Sequence, residues 1–133
     1  MKHRIVGKKL SSNHNQRKSL FRSLINHLII YGQIETTKAK AKAVKRIAEK
    51  LITKGKKQTL HTRRLINAFL QNEKAVNKIV DEISPLFKNR AGGYTRIVNL
   101  KERRGDNAPV VRLELVEKPE EEKKVIKKSD NKK

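Results

Sequence analysis

Apolar residues recur at helical spacing over the first two-thirds of the chain, and the period changes towards its end. Leu20, Phe21, Leu24, Ile25, Leu28 and Ile29 form one stripe, predicting a helix from near Asn15 to Tyr31. Ser19, Ser23, Asn26 and His27 fall on its other side, with Arg22 at the boundary. Asn13 or Asn15 suits the N-cap, and Gly32 is a stop signal. Gln33-Ile34-Glu35-Thr36 reads as a short strand. Thr37 then caps a second helix, about 38–54, whose inward stripe is Val44, Ile47, Ala48, Leu51 and Ile52. Gly55-Lys56-Lys57 breaks the pattern. A third helix, about 59–71, turns Leu65, Ile66, Phe69 and Leu70 inward. Asn72 caps a fourth, about 73–84, with Val76, Ile79, Val80 and Ile83 as its stripe and Pro85 as its end.

After Pro85 the residues favour strands. Thr95–Leu100 and Val110–Glu117 are rich in β-branched side chains. Val111, Leu113 and Leu115 alternate with Arg112 and Glu114, the pattern of a half-buried strand. Ile97 and Val98 are both apolar, so the inward face of the earlier run stays open. Arg104-Gly105-Asp106-Asn107 supplies turn chemistry between the two runs, which should pair antiparallel, with 33–36 as a candidate third strand. The expected fold is α+β: about four helices packed on a small, two- to three-stranded sheet. One domain covers 15–117. An extended basic arm (1–14) precedes it. A charged tail (118–133), poor in apolar residues, is expected to be disordered.

Charge changes this picture from a fold to a binding partner. The 133 residues carry 34 Lys and Arg against 13 Asp and Glu, a formal charge of +21. Residues 1–64 hold 18 of the basic and 2 of the acidic side chains. Self-repulsion on this scale destabilises a compact state unless a polyanion neutralises it. Nucleic acid is the first candidate, because each phosphate contact releases counterions. Lys38, Lys40, Lys42, Lys45, Arg46 and Lys50 stand on the second helix against the single acid Glu49, so that face is read as facing phosphate. Arg17 and Lys18 fall in the first turn of the first helix, the unfavourable end for cations, which points to an external anion there.

Other chemistry is missing. There is no cysteine, which excludes disulfides and thiolate metal sites. His3, His14, His27 and His61 have no metal-ligand spacing on one element. Gly55-Lys56 is not a phosphate-cradling loop, because Lys50 stands where that motif has its first Gly and Lys57 where it has Ser or Thr. Asp81 and Glu82 are adjacent and share no helix face. No run of about 18 apolar residues exists to span a membrane, and the basic N-terminus lacks the apolar stretch of a secretory signal. No catalytic residue, metal or cofactor is expected.

One segment stands out: Arg90-Ala91-Gly92-Gly93-Tyr94-Thr95-Arg96. Its glycines allow close backbone approach to a partner, Tyr94 offers a flat face and a hydroxyl, and the arginines bring forked donors suited to phosphate. The plain alternative is a loop entering a strand, with Tyr94 packed as core. Five aromatic residues are too few for a stacking platform, and Phe21 and Phe69 fall on core stripes. Recognition should be electrostatic and shape-based.

Four stretches occur together and in order: Met1-Lys2-His3-Arg4; Ile34-Glu35-Thr36-Thr37 with Lys40-Ala41-Lys42; Arg90 to Ile97; and Gly105-Asp106-Asn107-Ala108-Pro109. Over about residues 1–117 the chain resembles the bacterial large-subunit ribosomal proteins numbered seventeen. The resemblance implies a structural component of the large subunit that binds its large ribosomal RNA, on the solvent side where the nascent chain leaves. It also implies neighbouring ribosomal proteins as minor partners, and no catalysis. It carries the basic stretch from Lys2 to Lys18 and the loop 90–96 over as RNA contacts. With the helix faces, the expected RNA-binding set is Lys2, His3, Arg4, Lys8, Lys9, His14, Arg17, Lys18, Arg22, Lys38, Lys40, Lys42, Lys45, Arg46, Arg63, Arg64, Arg90, Gly92, Gly93, Tyr94 and Arg96. The expected location is cytoplasmic and ribosome-bound, with no membrane and no small-molecule substrate. An architectural DNA-binding protein is the alternative; an RNA-acting enzyme and a membrane-surface protein fit the residues less well.

Overall fold

The computed structural model describes residues 8–119. Lys2, His3 and Arg4 of the expected arm, and residues 120–133 of the expected tail, lie outside the described residues. Helix α1 (His14–Tyr31) is followed by strand β1 (Gln33–Thr37), helix α2 (Lys38–Gly55) and helix α3 (Leu60–Leu70). A fourth helix begins as α4 (Glu73–Asn77), widens into a π-helical turn (Lys78–Ile83) and closes with the short turn α5 (Ser84–Leu86). Strands β2 (Thr95–Glu102) and β3 (Pro109–Leu115) complete the fold.

The helices start and stop where their side chains dictate. Asn13 caps α1, with its N–H donating to Gln16 Oε1 at 3.2 Å, and Gly32 ends it at φ 70°, a conformation open to glycine. The Thr59 hydroxyl accepts the Thr62 N–H at 3.2 Å to start α3, and Asn72 Oδ1 accepts the Ala75 N–H to start α4. The fourth helix passes Pro85, which sequence places at its end, and stops at Leu86. The wider turn explains the tolerance: Ser84 N–H bonds five residues back to Ile79 O, just before the proline that has no N–H to give.

The sheet has the order β1-β3-β2, antiparallel throughout, so 33–37 is the third strand and β3 is central. Val111, Leu113 and Leu115 of β3 point into the core with Ile34 and Ile97, which register opposite Leu113. The ambiguous pair is thereby settled, with Ile97 inward and Val98 exposed. Against this face pack Ile25, Leu28 and Ile29 of α1, Ala41, Val44, Ala48, Leu51 and Ile52 of α2, Ile66 and Leu70 of α3, and the buried side of the fourth helix. On α3 the inward set differs from expectation. Leu65 is 42% exposed and Thr62 is buried, because Thr62 Oγ1 satisfies itself on Thr59 O at 2.8 Å.

The outer face of the sheet is polar and self-paired. Glu114 is buried there between Arg96 and Lys118, Arg112 bonds Glu35 at 3.1 Å, and Lys118 also donates to Gln33 Oε1 at 2.9 Å. Lys118 therefore belongs to the folded body, although sequence assigns it to the tail.

Gly55 is the buried last residue of α2, and its role is close packing. A Cβ there would lie 2.9 Å from Ile79 Cγ2 and closer still to Ser84 Oγ, so α2 meets the π-turn only because this position has no side chain. Gly55→Ala should lower stability by about 1–3 kcal/mol through overpacking. Adding Ser84→Ala, which removes the nearer clash, should restore part of the loss. Denaturant unfolding of the single and double variants checks both.

Candidate nucleic-acid interface

Helix α2 has one apolar side and one cationic side. Its 18 residues hold six lysines and one arginine against the single acid Glu49. Lys38, Lys42, Arg46, Lys50 and Lys54 recur every four residues and are all exposed, so they form one line along the helix. At about 1.5 Å per residue this line is about 24 Å long. Lys40 and Lys45 flank it, half-buried. No ion pair or hydrogen bond engages any of these seven side chains among the described residues. Glu49 is turned away, its Oε1 accepting from Thr95 Oγ1 at 3.1 Å. Each i,i+4 step of the line is a like-charge pair that costs about 0.2–0.5 kcal/mol. An isolated fold gains nothing from it; a polyanion does.

The set expected from sequence holds Lys38, Lys40, Lys42, Lys45 and Arg46 of this helix, with Lys50 read on the same face, and does not include Lys54. The four-residue spacing is the available signal.

The arginines behave differently, because most already have partners. Arg22 Nε donates to Phe69 O at 2.8 Å, and Asn26 Nδ2 donates to Leu70 O at 3.3 Å. These two side chains of α1 satisfy the last carbonyls of α3, a helix with no cation in its own last turn. Arg22 is thus half-buried, with its Nε committed to capping α3. Arg63 bonds Asp81 and Asn77 Oδ1. Arg96 is paired with Glu114 yet keeps 63% of its side chain exposed. Arg90 donates to Gly92 O at 3.2 Å and lies 3.7 Å from Glu117. Arg64 is exposed on α3.

Just before α1, residues 9–12 make a turn. Ser12 N–H bonds Lys9 O at 3.3 Å, with Leu10 and Ser11 at positive φ. Arg17 Nη1 clasps the turn through Lys9 O at 3.2 Å and Ser12 O at 3.0 Å. Lys8, Lys9, His14 and Lys18 are exposed around it.

The loop 90–94 is tied to the end of α2. Lys56 Nζ donates to Arg90 O and, at 3.1 Å, to the Tyr94 hydroxyl, which itself donates to Ala91 O at 3.1 Å. The Tyr94 ring is 1% exposed and lies 5.1 Å from the ring of Phe87. It offers no face to a partner, which corrects its expected role: Tyr94 is core, and its hydroxyl anchors the loop. The Thr53 hydrogen bond, with help from Lys56, holds this phenol below its ordinary pKa against the opposing effect of burial. Gly92 and Gly93 are exposed, a Cβ at either would meet nothing, and Gly93 has φ +66°.

Among the described residues no group of three or more His, Asp or Glu could hold a metal ion, and no helix is long and apolar enough to cross a membrane.

A family model described as "Ribosomal protein L17" matches residues 20–116, from the first turns of α1 to the end of β3. The chain belongs to the ribosomal protein L17 family. Curated relatives are named large ribosomal subunit protein bL17. That of Thermoanaerobacter sp. (strain X514) is 49% identical over 82% of this chain and 97% of its own length. That of Persephonella marina is 49% identical over 92% of this chain and 100% of its own, and that of Borrelia turicatae 43% over 92% and 99%. The family match contains the whole α2 line and the loop 90–96. It also contains the β2–β3 connection, whose Asp106 accepts from the Arg103 guanidinium and from the Ala108 N–H at 3.3 Å.

Those two bonds, Arg103 first, pull the Asp106 carboxyl down to about 2 from its ordinary 3.8. Because the folded value lies below the unfolded one, the clamp is present above about pH 4 and is lost as pH falls through the folded value. Carboxyl NMR should show Asp106 titrating near 2, and Arg103→Ala should move it back towards 3.8.

Proposed function

We propose that this chain is a structural component of the large ribosomal subunit that binds large-subunit ribosomal RNA, with the exposed line Lys38–Lys42–Arg46–Lys50–Lys54 as its principal phosphate contact. The single observation that carries the reading is that line: like charges at every i,i+4 step, without a counter-ion among the described residues. Membership in the L17 family supports the ribosomal setting, and the names of the relatives supply the subunit. Lys8, Lys9, His14 and Lys18 around the N-terminal turn, Arg64 on α3, and Arg90, Gly92, Gly93 and Arg96 at the loop are secondary contacts. Neighbouring ribosomal proteins are lesser partners, the protein is ribosome-bound, and no reaction is part of its role. DNA has no observation in its favour beyond net charge, which either polyanion satisfies.

Two effects of opposite sign test the reading. Lys42→Ala with Arg46→Ala removes three like-charge pairs, 38–42, 42–46 and 46–50, so stability should rise by about 0.5–1.5 kcal/mol. Affinity for large-subunit ribosomal RNA should fall, and the slope of log affinity against log salt should flatten by roughly 0.7–0.9 for every phosphate that the variant no longer neutralises. An unchanged slope would remove α2 from the interface.

A further inference from the structure

The RNA contact so far is a line of charges. A second feature differs in kind: a groove of about 320 Å³ between the first half of α1 and the end of α3, lined by His14, Arg17, Lys18, Phe21 and Phe69. Sequence places both phenylalanines in the core. The structure leaves them only half-buried, packed on the core from one side and lining this groove on the other. Neither ring stacks on another aromatic ring among the described residues, where the ring pairs are His27–Tyr31 and Phe87–Tyr94.

The rim is entirely basic. His14, Arg17, Lys18 and Phe21 lie on one face of α1 at helical spacing, and the first turn of that helix has no acid. The opposite wall is held in place, because Arg22 and Asn26 grip the carbonyls of Phe69 and Leu70. Arg17 is positioned as well, clasping the turn that carries Lys8 and Lys9.

We propose that this groove receives a single unstacked nucleotide of the bound RNA, its base against Phe21 and Phe69 and its phosphate among His14, Arg17 and Lys18. The proposal rests on the RNA-binding reading and adds to it a contact that paired RNA cannot make. Bases in a helix are already stacked, whereas bulged or looped bases lie open to aromatic side chains. The charge of the rim selects this occupant over an apolar side chain from a neighbouring protein, which would bring no counter-ion to Arg17 and Lys18. The groove holds a base without reading its identity, since every base has a face to stack.

The test uses the full chain with two probes: a short single-stranded oligoribonucleotide carrying 2-aminopurine, and a fully paired RNA duplex of the same length. Wild-type protein should raise the 2-aminopurine fluorescence, because the base leaves the neighbours that quench it. Phe21→Leu and Phe69→Leu preserve apolar bulk but remove the ring, and each should weaken single-strand binding by about 5–100-fold while leaving duplex binding unchanged. Equal single-strand affinity for wild type and both variants would overturn the proposal, as would equal losses on strand and duplex. Short-wave ultraviolet cross-linking of the wild-type protein in intact large subunits decides independently of variant folding. A nucleotide adduct on Phe21 or Phe69 supports the groove; a protein cross-link there, or no adduct, overturns it. If the wild type binds neither probe and leaves the subunit in low salt, the RNA-binding reading itself fails, a result distinct from failure of the groove alone.

Discussion

Burial of one side of α2 is the constraint on which the rest of the molecule depends. Ala41, Val44, Ala48, Leu51 and Ile52 face the central strand, the π-turn and α3, and all are 5% exposed or less. Each large aliphatic side chain buried contributes about 1.5–3 kcal/mol, whereas each like-charge step on the opposite side costs about 0.2–0.5 kcal/mol. Burial wins by a wide margin. That margin lets the outer side of α2 be built from cations alone without loss of the helix. It also makes the line rigid: its spacing is set by a helix clamped in the core, not by flexible chain. Gly55 completes the arrangement by letting the end of α2 press against Ile79 and Ser84.

A surplus of cations forces a division of labour. The acids engaged with cations in the folded body lie on the sheet, the fourth helix and the loops, where Glu35, Asp81, Asp106, Glu114 and Glu117 each meet an arginine. Glu114 is the deepest of these, and losing it would leave Lys118, itself largely buried, with only Gln33 as partner among the described residues. Other long side chains close the helix ends and loops. Arg22 meets Phe69 O, Lys78 donates to Ile30 O at 2.8 Å in the last turn of α1, and Lys56 holds Arg90 O. Such contacts satisfy carbonyls that a helix cannot satisfy for itself. Some cations therefore knit elements together, while others are turned outward, and the longest outward row is the line on α2. That line has no ion-pair partner among the described residues.

The periodic elements were legible because burial imposes the period. The stripes of α1 and α2, the alternation of β3 and the turn at 104–107 lie where the apolar pattern puts them, and the short strand at 33–37 joins the sheet. What the pattern missed are decisions made by tertiary partners. Leu65 and Thr62 exchange places because a threonine that bonds its own helix start can be buried. Arg22 and Tyr94 read as surface chemistry until the carbonyls and hydroxyls that engage them are in view. Pro85 reads as a stop because an α-helix cannot pass it easily; a π-turn can. Lys54 was visible in principle, since it continues a four-residue spacing already begun. Phe21 and Phe69 belong to the core by spacing and to a groove by position, a double role that no single-element pattern encodes.

The composition of the outward surface says what kind of recognition it supports. Four of the five residues on the α2 line are lysines, compact charges on flexible stems, and only Arg46 has a forked donor. Lysines tolerate variation in where a phosphate sits; forks demand fixed geometry. The loop 90–94 and the N-terminal turn are meanwhile fixed to the same body by Lys56, Tyr94 and Arg17 before any partner arrives. Flexible charge tips on a rigid, pre-ordered frame lower the entropy lost on association. A surface of this kind suits contact with an anionic backbone whose charges vary in position.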